Sequence, residues 1–160
     1  MTTPQLAGDL RRDEGLRLEA YPDPLSGGEP WTIGYGHTGS EVCEGLVWTL
    51  DQAEAALAAD IAHACKLCDL LIPWWRALDD VRQDVLAELM FNMGWRSRDG
   101  VRGLSTFVRM LAAARAGDWQ GAHDEMLKSA WAREVGQRAR RLARLMLTGA
   151  REDAAARAAA

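Results

Sequence analysis

The sequence predicts an α+β fold that is mostly α: a small N-terminal β-hairpin lobe and a larger helical lobe, joined by a long helix. Three observations carry this. Residues 16–38 alternate apolar and polar side chains in short runs broken by Pro, Gly and Ser, as tight hairpins do. Ala53, Leu57, Ile61, Ala64 and Cys68 recur at spacings of three and four, the period of a one-sided helix. Beyond Pro73, apolar-periodic segments follow one another with Gly and Asp between them. At 160 residues and 48% hydrophobic, the chain is sized for a single domain with a real core. We place that domain at 1–150, with the small lobe at about 14–48 and the helical lobe at about 72–149 plus the N-terminal helix. Residues 151–160 are expected to be a tail, and the protein a monomer.

The elements follow in order. Residues 4–13 read as a short helix, because Pro4 suits a first turn and Leu6 and Leu10 are i, i+4 neighbours. Gly15 ends it and leaves Glu14 near its C-terminus. In the hairpin segment Gly34 and Gly36 bracket Tyr35, which marks a bulge or a close backbone approach. Thr49-Leu50-Asp51-Gln52 reads as a capping box that opens the long helix, which runs to about Leu71 before Pro73. Asp79 or Asp80 starts a helix through Val81, Val85, Leu89 and Met93, stopped by Gly94. Its end is apolar nearly all round, so it is expected to be central. Residues 95–103 form a polar loop. Ser105 is expected to cap a helix to Ala116, and Gly117-Asp118 the next, to about Lys128. A final helix is predicted from about Val135 to Leu147, and the sequence shows no internal repeats.

Composition narrows the function classes. No apolar run approaches a membrane span, and the first 15 residues lack the apolar core of a signal peptide. Synthesis in the cytoplasm without a visible export address is the expectation. The net charge of −4 divides unevenly: residues 1–75 hold 4 basic and 12 acidic side chains, residues 76–160 hold 15 and 11. A basic surface on the second half suits an anionic polymer such as a cell wall, or is simply a set of solvated helix faces. An acidic first half and the lack of a recognition motif argue against nucleic acid. Cys43, Cys65 and Cys68 are odd in number, which argues against a closed disulfide framework. Cys65 and Cys68, near His63, have metal-like spacing, but a structural zinc site needs four ligands. Thiols are the expectation, a bridge to Cys43 the alternative, and no metal or cofactor is expected.

The chemistry concentrates between residues 14 and 38. Glu14, Asp23 and Thr32 follow one another at intervals of nine residues, and Gly34-Tyr35-Gly36-His37 comes next. Glycosidic-bond hydrolysis requires two carboxyl groups in different environments, one protonated to donate to the leaving oxygen and one ionised. At a helix C-terminus the helix dipole disfavours negative charge, which suits Glu14 to the acid role. Asp23 would hold and polarise a water, with the Thr32 hydroxyl on the same water. Asp23 also sits in Pro-Asp-Pro, an ordinary turn signal, and Thr32 is an ordinary strand residue. His37 reads as a structural group that pairs with a carboxylate and braces the sheet. Of the seven tryptophans, Trp131 and Trp31 are the candidates for stacking on sugar at a cleft; Trp48, Trp74, Trp75, Trp95 and Trp119 read as packing.

Asp13-Glu14-Gly15-Leu16-Arg17-Leu18, Ala20-Tyr21-x-Asp23 and Thr32-Ile33-Gly34-Tyr35-Gly36-His37-Thr38 resemble the bacteriophage-type lysozymes, or endolysins, which cleave peptidoglycan. Phe91-Asn92-Met93-Gly94, Arg109-Met110-Leu111, Lys128-Ser129-x-Trp131 and Arg138-Ala139-Arg140-Arg141 follow in the family's order, so the resemblance covers about residues 5–149. The gap from Asp23 to Thr32 is about three residues longer than in the shortest members, through Pro24–Pro30. The resemblance implies a lysozyme-like fold and cleavage of the β-1,4 bond between N-acetylmuramic acid and N-acetylglucosamine by inversion, causing lysis. It implies Glu14 as acid, Asp23 and Thr32 as the water-holding pair, Phe91 and Asn92 on the cleft, and Arg138 near the acid, orienting it. Asn92 would donate to an N-acetyl group. With no signal peptide visible, release is expected to depend on a separate membrane-permeabilising protein. The rival readings are a non-catalytic peptidoglycan-binding or tail-associated module of the same fold, and a lytic transglycosylase, which would need the acid but no water-holding pair.

Overall fold

Short side-chain caps and glycine stops set the element boundaries in the computed structural model, which describes residues 3–22, 27–96 and 103–151. Asp23, the Pro24–Ser26 part of the long turn, most of the 95–103 loop and the tail beyond Arg151 lie outside the described residues. The architecture is α+β and mostly α: seven α-helices and a two-stranded antiparallel sheet among the described residues. It divides into two compact units, residues 4–66 and residues 67–151 with Thr3. The N-terminal helix, expected with the helical lobe, belongs to the first of these.

In the first unit, helix α1 (Pro4–Glu14) buries Leu6 and Leu10 from one face, and Gly15 leaves it with φ +68°. Strands β1 (Arg17–Tyr21) and β2 (Thr32–Gly34) pair antiparallel, Arg17 opposite Gly34 and Tyr21 opposite Thr32. The expected sheet is smaller than its alternating pattern suggests. Its third edge is one bridge, Glu19 to Val47, where Ala20 N donates to Leu46 O at 2.9 Å and Trp48 N to Leu18 O at 2.8 Å. Ala20, Ile33 and Val42 form a core against which Trp31, Leu46 and Trp48 pack. Trp31 therefore packs against this core, and Trp131 is left as the aromatic candidate for a cleft.

Helix α2 (Leu50–Leu71) begins at a reciprocal cap: Thr49 N donates to Gln52 Oε1 at 2.8 Å and Gln52 N to Thr49 Oγ1 at 3.3 Å. Its buried stripe is Ala53, Leu57, Ala64 and Cys68. All three cysteines are thiols; Cys43 is exposed and Cys68 buried, its Sγ directed at Leu86 O. Replacing all three with Ala is expected to leave turnover within a few-fold. It should cost about 1 kcal/mol or more of stability, mainly from the small cavity at Cys68. Complete loss of turnover in a folded triple variant, checked by circular dichroism, would contradict this.

In the second unit, α3 (Asp80–Met93) is central, buried from Arg82 to Met90. Asp79 caps it by accepting from Arg82 N at 3.0 Å. Its buried polar side chains are all hydrogen-bonded, as burial demands. Arg82 donates to the carbonyls of Met146 and Leu147 and stacks on the Trp119 ring at 3.8 Å. Gln83 donates to Leu78 O at 2.7 Å. Asp84 accepts from Thr3 N and Arg151 Nη2, both at 2.8 Å. Glu88 takes the Arg141 guanidinium. Trp75, fully buried, donates to Asp69 at 2.7 Å.

Helices α4 (Val108–Ala116), α5 (Trp119–Lys128), α6 (Ala130–Val135) and α7 (Gln137–Thr148) complete this unit. One expectation is corrected here. Ser105 lies inside a short 3₁₀ turn, Leu104–Thr106, and α4 starts after Phe107 with no side-chain cap. The expected final helix is α7, and ahead of it stands a short helix that the sequence reading missed: Ser129 caps α6 by accepting from Ala132 N at 3.0 Å, and Gly136, at φ +55°, separates it from α7. Asp118 caps α5 as expected, accepting from Gly121 N at 2.9 Å.

Candidate active site

Glu14 is the last residue of α1, and its position is set by the turn that follows β2. Ile33 N donates to His37 O at 3.0 Å and His37 N to Ile33 O at 2.9 Å, closing a loop of Gly34, Tyr35 and Gly36. Both glycines have positive φ, +67° and +84°. Packing adds to this at Gly34, where a Cβ would come 3.1 Å from the Trp48 ring; one at Gly36 would stand in ordinary contact with Glu14 Oε2, at 3.4 Å. The bare backbone of Gly36 thus lies over the carboxyl of Glu14, whose Oε1 is a buried atom. A half-buried carboxyl beside a backbone wall is the arrangement a positioned proton donor needs. Thr32, half-buried at the start of β2 opposite Tyr21, is on the same short strand.

Two polar ties fasten this turn to α2. The buried Tyr35 hydroxyl donates to Glu54 Oε1 at 2.7 Å, and Arg11 on α1 grips the same carboxylate at 2.6 Å. Glu54 is held below the usual carboxylate range, first by Arg11 and then by Tyr35. His37 sits between two carboxylates, Nδ1 at 2.7 Å from Asp60 and Nε2 at 2.8 Å from Glu41. Burial disfavours its charge, but the hydrogen bonds to Glu41 and Asp60 outweigh it and raise its pKa above the ordinary value.

A pH prediction follows from that direction. A raised folded-state pKa means the cation binds its proton more tightly folded than unfolded. The stabilisation is complete below the unfolded value, about 6.5, and is lost as pH rises through the folded value. His37→Asn should therefore cost most stability at about pH 5 to 6 and progressively less toward about pH 9. Urea unfolding of both proteins across that range checks it; a pH-independent difference would contradict the pairing.

The other predicted site residues fall in the second unit. Asn92 and Trp131 meet: Trp131 Nε1 donates to Asn92 Oδ1 at 2.9 Å, and the Phe107 ring meets Trp131 edge-on at 6.1 Å. An indole N–H can only donate, so it fixes the amide with its oxygen toward Trp131 and leaves the NH₂ group as the donor. All three residues line a cavity of about 760 Å³. Glu125, Lys128 and Glu134 also line it, with a 3.1 Å ion pair between Lys128 and Glu125. Aromatic faces beside charged and amide groups suit an amphipathic, sugar-like ligand. Phe91 is half-buried and is not part of the cavity wall, and Arg138, half-buried on α7, is not either. The sequence reading missed Phe107, Glu125 and Glu134 as lining residues. No three His, Cys, Asp or Glu side chains gather for a metal among the described residues.

Comparison with known proteins agrees along the chain. A family model described as phage lysozyme matches residues 11–147. The pre-baseplate central spike protein Gp5 of Enterobacteria phage T4 is 33% identical over 90% of this chain, but this chain covers only 28% of that protein. An endolysin of Salmonella phage P22 is 34% identical, covering 74% of this chain and 75% of its own length. An endolysin of Bacillus phage B103 is 32% identical over 80% of this chain and 44% of its own.

Proposed function

This chain belongs to the phage lysozyme family, and from that premise we propose that it is a glycoside hydrolase acting on bacterial peptidoglycan. The reaction is cleavage of the β-1,4 bond between N-acetylmuramic acid and N-acetylglucosamine. The observation that carries the reading is Glu14, held at the end of α1 under the backbone of Gly36. Glu14 donates the proton to the glycosidic oxygen. Asp23 and Thr32 hold the water that attacks from the opposite face. Asn92, oriented by Trp131, donates to substrate from the cavity wall, and Arg138 and Phe91 support binding. His37, Gly34 and Gly36 keep the turn in place. The consequence is lysis of the cell, with access to the wall through a separate membrane-permeabilising protein. No helix among the described residues is long and apolar enough to cross a membrane.

The stereochemistry tests the roles. A single displacement by water inverts the anomeric centre and needs carboxyl groups about 6.5 to 9.5 Å apart. Freshly cleaved oligomer is then expected to carry an α-anomeric reducing end, read by proton NMR before mutarotation. An initial β-anomer would mean a covalent intermediate with Asp23 as nucleophile.

The Gp5 relative favours a second reading. Its name places that protein in a spike, so this chain could serve as a tail-associated module that keeps the fold. Loss of turbidity of a peptidoglycan suspension separates a catalytic from a purely binding role.

A further inference from the structure

Glu88 is 1% exposed in the middle of α3, an expensive place for a carboxylate. Arg141 on α7 reaches it with both guanidinium nitrogens, Nη2 to Oε1 at 2.5 Å and Nη1 to Oε2 at 3.3 Å. An apolar pair of similar volume would hold two helices together without the desolvation cost, so burial alone does not account for this pair. A fork-to-fork pair supplies something an apolar contact does not, a fixed register and angle.

The register matters because of what lies one turn away. Asn92 is four residues on from Glu88 and shares its face of α3. Asn92 ties α3 to α6 through Trp131, and Glu88 ties α3 to α7 through Arg141. Helices α6 and α7 are separated only by Gly136, at φ +55°. A glycine joint of this kind has no stiffness of its own. Polar ties from α3 lie on either side of the joint: Asn92 holds α6, and Glu88, together with Arg82 on the Met146 and Leu147 carbonyls, holds α7. The first helix of that corner, α6, carries Ala130, Trp131, Glu134 and Val135 along the cavity wall.

We infer that Glu88 is a positioning residue for substrate binding: through Arg141 it fixes the α6–Gly136–α7 corner and so the Trp131 side of the cavity. This rests on the cavity taking part of the substrate, as proposed above. Glu88 itself touches no substrate and moves no proton. Its loss should raise KM and leave kcat nearly unchanged.

The test uses soluble glycan strands bearing stem peptides, with KM and kcat measured separately. E88L/R141M removes both charges and keeps apolar contact, so it should stay folded with stability close to that of the unmodified protein. R141K keeps the charge but loses the fork. Both are expected to raise KM at least about fivefold, with kcat within about twofold. The dissociation constant of the same strands, measured by calorimetry on the Glu14→Gln background, should weaken in parallel. A purely structural pair would give normal KM and binding in E88L/R141M, and that result overturns the inference. If the double variant does not fold, R141K decides: unchanged KM overturns it. If the unmodified protein cleaves the strands while neither variant shifts KM, only this inference fails. If the unmodified protein cleaves nothing, the hydrolase reading fails and takes this inference with it.

Discussion

Glu14→Gln is expected to abolish cleavage of peptidoglycan while the protein stays folded. The amide keeps the size and shape of the side chain at the end of α1, so the contact with Gly36 survives. What it lacks is a proton that can be given to the leaving oxygen. General acid catalysis contributes roughly 10² to 10⁴ in rate, so residual activity should fall below about one hundredth. Circular dichroism and the unfolding midpoint should be close to those of the parent protein. Activity above about a tenth would assign the acid elsewhere.

Gly36→Val should damage both stability and activity. The backbone at Gly36 has φ +84°, a region closed to β-branched residues. The left-handed conformation costs about 1–2 kcal/mol for an ordinary side chain, and valine's branch adds to that. The new Cβ would also stand 3.4 Å from Glu14 Oε2, already in contact, so valine's two methyls must be fitted around the carboxyl. A displacement of the carboxyl by about 1 Å is enough to lower the rate about 10²-fold. Both losses are measurable together: urea unfolding for stability, and initial rates taken well below the lowered midpoint. A variant with normal rates would show that the Gly36 backbone does not position Glu14.

The parts of the fold visible in the sequence are those governed by local chemistry. Thr49, Asp79 and Asp118 are legible as caps because a short oxygen-bearing side chain satisfies an amide two or three residues away. Helix α6 is not legible, since six residues are too few to show a period and its cap, Ser129, looks like any loop serine. Ser105 misleads for the same reason: a capping residue type without a capping geometry. Trp31 looked available for sugar, but whether an aromatic packs inward depends on Ala20 and Val42, which are distant in sequence. In the site, Glu14 and the Gly34–Gly36 turn are legible because one short segment holds them. The cavity draws Phe107 from the position before α4, Lys128 from α5 and Glu134 from α6, and no sequence spacing brings those together. The family resemblance gives the order of the motifs; the placement of Gly36 against Glu14 emerges only in the folded turn.

The most direct test of the hydrolase reading is the chemistry of the ends it makes. Purified protein is incubated with peptidoglycan, and the released fragments are identified by mass spectrometry. Hydrolysis by an attacking water predicts new reducing ends on N-acetylmuramic acid, each carrying the added water. Fragments lacking that water, with an internal anhydro ring on the muramic acid, would contradict the account. They would mean that Glu14 acts without a water held by Asp23 and Thr32.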